Sequence, residues 1–199
     1  MGRAGAARPY SLGQVFNQGG YRPDWEIYCQ QEGKFYPKEQ GMAEQKDGWQ
    51  DFDFIFGSWK VHNRRLRERL KGSTDWEEFE GQSSARAILG GLGNIDELAM
   101  ERDGKSILGF TTRIYNPGSG QWSIYWADSA GATLLAPMVG SFKDGRGEFY
   151  DQELFEGRSI YSRFIWSGIT ATSCKWEQAF SEDVGKSWET NWVMEFERI

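Results

Sequence analysis

At 199 residues, with a net charge of −6, a pI near 5.0 and 16% aromatic residues, the chain has room for one large core plus an extension. The acidic balance argues against a general nucleic-acid or anionic-membrane surface, and no apolar run is long enough for a transmembrane helix. Its two cysteines, Cys29 and Cys174, form neither a disulfide framework nor a paired metal motif, and they fit a reducing compartment, the cytoplasm or an organelle interior.

Residues 1–50 read as an irregular N-terminal extension. Residues 1–23 carry Arg3, Arg8 and Arg22 and no acid, a local charge of +3 that leaves −9 for the remainder. Gly, Gln and Pro are dense, and neither a helical nor a strand period persists. Tyr10, Phe16, Tyr21, Trp25, Tyr28, Phe35, Tyr36 and Trp49 are nevertheless many aromatics for an inert leader. Two readings stay open: a disordered leader, or an arm that packs on the rest of the chain or docks on a protein partner. A short helix is expected within 25–31 or 37–45, and the domain boundary falls near 47–49.

From residue 51 onward, β-patterned runs alternate with turn signals every ten to fifteen residues, the pattern of an all-β sandwich or barrel. The spacing predicts ten strands, at 57–69, 76–89, 93–101, 107–115, 122–128, 135–142, 148–155, 159–166, 173–180 and 188–197. Asp103-Gly104 marks a tight hairpin. Gly90-Gly91-Leu92-Gly93 joins two strands, so it reads as a turn and not as a phosphate cradle at a helix start. Ten consecutive strands with short links form an up-and-down meander, and closing the last strand onto the first removes both exposed edges. The expected architecture for 51–199 is therefore a ten-stranded antiparallel β-barrel, of a size that encloses one small ligand.

Alternation indicates the inward face. Trp122, Ile124 and Trp126 share one side of their strand, as do Ser162, Phe164 and Trp166, Trp176, Gln178 and Phe180, and Trp192, Met194 and Phe196. Asn191, Val193, Glu195 and Glu197 fall opposite the last set. An apolar interior with a few hydrogen-bonding groups is what a ligand pocket looks like, although the same rings could simply fill the barrel. Trp122 and Trp126 with Trp176 and Trp192 are the candidate stacking platform for a flat apolar molecule. On the first strand Trp59, Val61, Asn63, Arg65 and Arg67 share a face, and on the second Glu78, Glu80 and Gln82 do. Outward or rim-facing, these charges are cross-strand ion pairs; inward, they would make Arg65 or Arg67 an anion site. The outward or rim reading is preferred for the distal charges.

Gly57-x-Trp59 at the start of the first strand, with Arg198 just after the last, resembles the Gly-x-Trp and closing-Arg arrangement of the calycins, the lipocalins and fatty-acid-binding proteins with their bacterial relatives. The segments 54–70, 75–80, 89–96, 121–128, 176–180 and 187–196 are similar to a bacterial family of calycin-like domains with no assigned activity. The resemblance covers about three quarters of the chain. It implies a barrel whose end is latched by Arg198 packing over Trp59, with Gly57 and Trp59 structural and not ligand-binding. It implies no cofactor.

Other chemistry finds little support. His62, the sole histidine, falls opposite Trp59 and Val61, so no axial haem ligand stands out, and no nucleophile motif accompanies it. One histidine and two cysteines are too few for a zinc site. Acidic clusters at 75–78 and 96–97 lack calcium-loop spacing. The leading expectation is non-catalytic binding of a small, largely apolar molecule, with Asn63, Arg65, Trp122, Trp126, Ser162, Phe164, Trp176, Gln178, Trp192 and Met194 as ligand-facing residues. The alternatives are an accessory subunit docked through residues 1–50, and a cavity enzyme of isomerase or cyclase type needing a carboxylate such as Glu78 or Glu97 inside the chamber.

Overall fold

The computed structural model describes residues 48–199 in full and, as backbone, two strands before them, β1 (Tyr28–Gln31) and β2 (Lys34–Pro37). These two pair antiparallel, with Cys29 opposite Tyr36. A strand thus stands over 28–31, within the first of the two stretches, 25–31 or 37–45, offered for a short helix. Tyr28, Phe35 and Tyr36 favour the pleated chain. The second stretch, beyond Pro37, lies outside the described residues.

The rest is a closed barrel of ten antiparallel strands in chain order: β3 (Gly57–Leu66), β4 (Trp76–Ile88), β5 (Gly93–Arg102), β6 (Lys105–Asn116), β7 (Gln121–Asp128), β8 (Met138–Lys143), β9 (Arg146–Phe155), β10 (Arg158–Ser167), β11 (Ser173–Ser181) and β12 (Glu189–Arg198). Closure runs through β12 and β3, where Met194 faces Asn63 and Arg198 faces Trp59. The Asp103-Gly104 link has φ of +50° and +70°, the paired left-handed geometry of a two-residue hairpin whose twist matches its strands. Asp144-Gly145 and Glu156-Gly157 repeat it.

Two strands differ from expectation by three residues at one end. β3 ends at Leu66 and not at 69, because Leu70 and Gly72 take positive φ and turn the chain towards β4. β8 begins at Met138 and not at 135, since residues 129–137 form a loop held by the Leu135 amide donating to the Trp126 carbonyl at 2.9 Å. β8 therefore pairs with β7 over only three residue pairs and with β9 over five, all in the half of the barrel nearer Trp122. Between residues 125–128 of β7 and 151–155 of β9 no strand intervenes, and the loop crosses there.

One end of the barrel is plugged. A tight 3-10 turn at Asp53–Ile55 carries Phe52 and Ile55 into the interior, both essentially inaccessible. Phe52 meets Trp122 and Phe142 edge-on at 5.0 and 4.9 Å and stacks on Phe149 at 5.6 Å. Full burial of one such ring stabilises by roughly 1.5–3 kcal/mol. The Trp59 indole N–H donates to the Ile55 carbonyl at 2.7 Å, so Trp59 fixes the plug from its side. The plug is thus the phenylalanine-rich 52–56 segment, with Gly57 and Trp59 as its support.

Arg198 clamps this end. Its guanidinium sits 4.2 Å from the Trp59 ring centre and donates to the carbonyls of Phe56, Phe54 and Ala171 at 2.6, 2.8 and 2.8 Å. Gly57 has φ +104°, and a Cβ there would come within 3.0 Å of Arg198 Nη1. Only glycine takes both the backbone and the proximity.

Candidate functional site

Above the plug the barrel encloses a chamber of about 650 Å³ that opens at the opposite end. That size suits a small organic molecule. Its middle is apolar: Leu98, Met100, Ile107, Ile124, Met138 and Met194 contribute aliphatic or thioether surface, and Trp126, Phe164, Trp176 and Trp192 contribute rings. The rings pack edge to face, Phe164 on Trp176 at 4.8 Å, Trp176 on Trp192 at 5.6 Å and Trp126 against Trp192 at 6.4 Å. Such contacts hold each ring in one orientation, and the Trp126–Trp192 contact, between β7 and β12 on opposite sides of the barrel, spans the interior. Gly109 helps: a Cβ there would fall 2.1 Å from the Trp126 ring, so the missing side chain lets that indole lie across β6.

Of the ten residues expected to face a ligand, seven line the chamber: Arg65, Trp126, Phe164, Trp176, Gln178, Trp192 and Met194. The other three point inward but act behind or below the wall. Trp122 lies beneath the chamber in the plug, its indole N–H donating to the Gly48 carbonyl at 2.9 Å. Asn63 is fully buried and accepts from the Trp192 indole at 3.1 Å, so it orients a lining ring. Ser162 is fully buried and gives its hydroxyl to Glu153. Alternation identifies the inward side but not the height along the strand, and height separates plug from chamber.

Asn191, expected outward, is also fully buried. The β11–β12 register slips at Gln178/Ala179, and Asn191 is the extra residue of the bulge. Its Oδ1 accepts from Gln178 Nε2 at 2.8 Å and fixes that amide in the chamber wall.

The charged strands divide by face. Glu78, Glu80 and Gln82 are exposed. Glu80 meets His62 at 2.8 Å and Lys60 at 3.9 Å, and Glu78 meets Arg64 at 3.4 Å, an outer ladder worth a few tenths of a kcal/mol per pair. Arg65 instead faces inward, opposite Glu77, because the register sets Glu77 and Phe79, not Glu78 and Glu80, on the chamber side of β4. Arg67 stays at the rim with Asp75, Glu77 and Asp103 within 3.7, 3.2 and 3.8 Å. Glu97 is exposed as well, so neither carboxylate on which the enzyme alternative depended reaches the chamber.

The carboxylate at the chamber floor is Asp96, from the 96–97 acidic cluster. Asp96 and Arg113, on adjacent strands, form a buried pair at 2.5 Å near the chamber floor. Thr111 donates to Asp96 at 3.2 Å, and Arg113 also donates to Asn94 at 2.9 Å. The guanidinium lies 5.1 Å from the Phe52 ring and 5.6 Å from Trp166. The pair ties β5 and β6 to the plug. Asp96 and Arg113 stand on the inward alternation of their strands, the one signal that could have found them.

At the open end stand Arg65, Arg69 and Arg102, with Asp128, Asp151 and Glu153 across from them and Ala130, Leu135 and Ala136 contributed by the 129–137 loop. Burial, reinforced by neighbouring Arg69 and Arg102, pushes the Arg65 guanidinium down to about 10. Burial also lowers Arg69. Cys174, buried near the floor, has its thiol pushed up to about 12 by desolvation and is unreactive in place. Among the described residues no group of three or more His, Cys, Asp or Glu side chains could hold a metal ion, and no helix is long and apolar enough to cross a membrane. The docking surface expected in residues 1–50 falls almost wholly outside the described residues.

No family model matches the chain, and no curated protein matches it in sequence. Solved structures do match in shape. The S-type phycobiliprotein lyase CPES of Guillardia theta aligns over 78% of this chain and 94% of its own, with a TM-score of 0.53 and 10% identity. Rv2717c of M. tuberculosis aligns over 80% and 99%, with a TM-score of 0.47 and 15% identity. A redesigned β-barrel aligns over 79% and 99%, with a TM-score of 0.42 and 10% identity. At 10% identity the likeness to the lyase is one of fold alone, a fold that in this chain is a closed barrel of ten antiparallel strands.

Proposed function

We propose that this barrel binds a small, largely apolar, flat molecule in its chamber and carries out no chemistry on it. The observation that carries the proposal is the open interior of about 650 Å³, lined by the rings of Trp126, Phe164, Trp176 and Trp192. A barrel filled by its own side chains would leave no such volume. Gln178, steadied by Asn191, supplies one orienting hydrogen-bonding group. Asp96, the carboxylate at the floor, is held by Arg113 and Thr111, which suits structure better than proton transfer. Kinship with the bacterial calycin-like family belongs to the same proposal and adds no activity to it.

Titration with neutral 1-pyrenebutanol tests the reading. Saturable one-to-one quenching of tryptophan fluorescence is expected, with a matching complex in native mass spectrometry. Ile107→Trp, which adds an indole to the chamber wall, should abolish it. Non-saturable quenching, or quenching unchanged by Ile107→Trp, overturns the proposal.

A further inference from the structure

The mouth arginines are unevenly partnered. Arg67 reaches three carboxylates and Arg102 reaches Glu77 at 2.6 Å. Arg65 and Arg69 line the chamber yet make no ion pair within 4.0 Å among the described residues. Both are held in place by rings instead: Arg65 lies 4.8 Å from the Trp192 ring centre, and Arg69 lies 4.6 Å from Phe155 and 5.3 Å from Phe180. Stacking fixes the plane of each guanidinium and leaves its N–H edge free to donate. The acids that act on them, Glu77 and Asp128 on Arg65 and Glu153, Glu156 and Glu189 on Arg69, do so from beyond ion-pair distance, and a half-buried cation with no close counter-ion is costly to the fold alone.

Carboxylates do face this mouth. Asp128 is occupied in its loop, accepting from the Ala130 and Gly131 amides at 3.0 and 2.7 Å, and Glu153 is occupied by Ser162. Asp151 lines the same β9 side. The mouth is therefore cationic towards β3 and acidic towards β7 and β9, which gives an entering molecule a preferred orientation.

We infer that Arg65 and Arg69 form an anion subsite at the mouth, and that the ligand is a carboxylic acid whose apolar body lies in the chamber against its ring-lined wall. The inference rests on the chamber being a ligand site, as proposed above. A guanidinium edge matches a carboxylate in two parallel hydrogen bonds. A phosphate monoester offers similar oxygens, but its second charge would meet the acids on β7 and β9. A monoanion meets the two guanidiniums without bringing a second charge against those acids.

The test compares 1-pyrenebutyrate with 1-pyrenebutanol, which share ring and linker and differ in the charged end. The acid should bind wild-type protein about tenfold more tightly than the alcohol, and added salt should narrow the gap. In Arg65→Met/Arg69→Met the acid-to-alcohol affinity ratio should fall to about one, and circular dichroism and thermal unfolding matching wild type show the barrel intact. Equal affinities in the wild-type protein, or a preference for the acid that survives both substitutions, overturn the inference while leaving the binding reading standing. If neither probe binds, the binding reading fails and the anion subsite falls with it.

Discussion

Removing one partner of the Asp96–Arg113 pair should cost far more than removing both. Arg113→Met keeps the aliphatic stem that packs on Phe52 and Trp166 but leaves Asp96 buried with only the Thr111 hydroxyl donating to it. Breaking a buried ion pair in this way typically costs 3–5 kcal/mol, because the orphaned charge stays out of water. With a urea m-value of about 2 kcal/mol/M, a loss of about 4 kcal/mol lowers the unfolding midpoint by roughly 2 M. Asp96→Asn should cost a similar amount by stranding the guanidinium, whose Nε has no partner among the described residues. In Arg113→Met/Asp96→Asn no charge is left to strand, and stability should return to within about 1–2 kcal/mol of wild type. Urea unfolding of the four proteins, followed by tryptophan fluorescence and far-UV circular dichroism, measures the cycle. Single-variant losses below about 1 kcal/mol, or a double variant as unstable as the sum of the singles, would refute the reasoning.

Three further outcomes are expected. Gly109→Ala should drive the Trp126 ring into the chamber and weaken 1-pyrenebutanol binding roughly tenfold, and adding Trp126→Leu should restore it; unchanged affinity in Gly109→Ala counts against an indole held by that glycine. Arg198→Ala should lower stability by about 2 kcal/mol in the same unfolding assay, and Arg198→Lys should rescue little, since one ammonium cannot reach three carbonyls and cover Trp59; full rescue by lysine would contradict the clamp. The Ser187 amide and hydroxyl and the Ser181 hydroxyl hold the Asp183 carboxyl down to about 2. Its folded value lies below the ordinary carboxylate value of about 3.9, so its stabilising effect is full above about pH 4 and fades as pH falls towards 2. Asp183→Asn should flatten the stability profile in that window, and parallel profiles for the two proteins would exclude the effect.

The barrel was legible because it rests on local signals. Turn dipeptides such as Asp103-Gly104 end strands where positive φ is needed, and alternation in Trp192-Val193-Met194-Glu195-Phe196 shows which side chains turn inward. Errors came where a local pattern is interrupted. Asn191 is buried because a bulge inserts one residue, and Leu135 lies in a loop, not a strand, because β8 starts late. Glu78 and Glu80 were weighed as partners for the face of Arg65, yet pairing sets Glu77 opposite it, a one-residue difference that moves a side chain through the sheet.

By itself, then, the sequence of this protein determined the ten-strand order and most of the inward faces, since each depends on residues close in the chain. Tertiary structure alone decided depth. It separated Trp122 in the plug from Trp126 in the chamber, brought Asp96 and Arg113 together at the floor, and left Arg65 and Arg69 at the mouth with no ion pair among the described residues while Arg67 found three acids. The physical reason is that alternation repeats every two residues at every height of a strand. Which part of the barrel a side chain meets depends on strand stagger and closure, and those are fixed by hydrogen-bond register between segments distant in the chain.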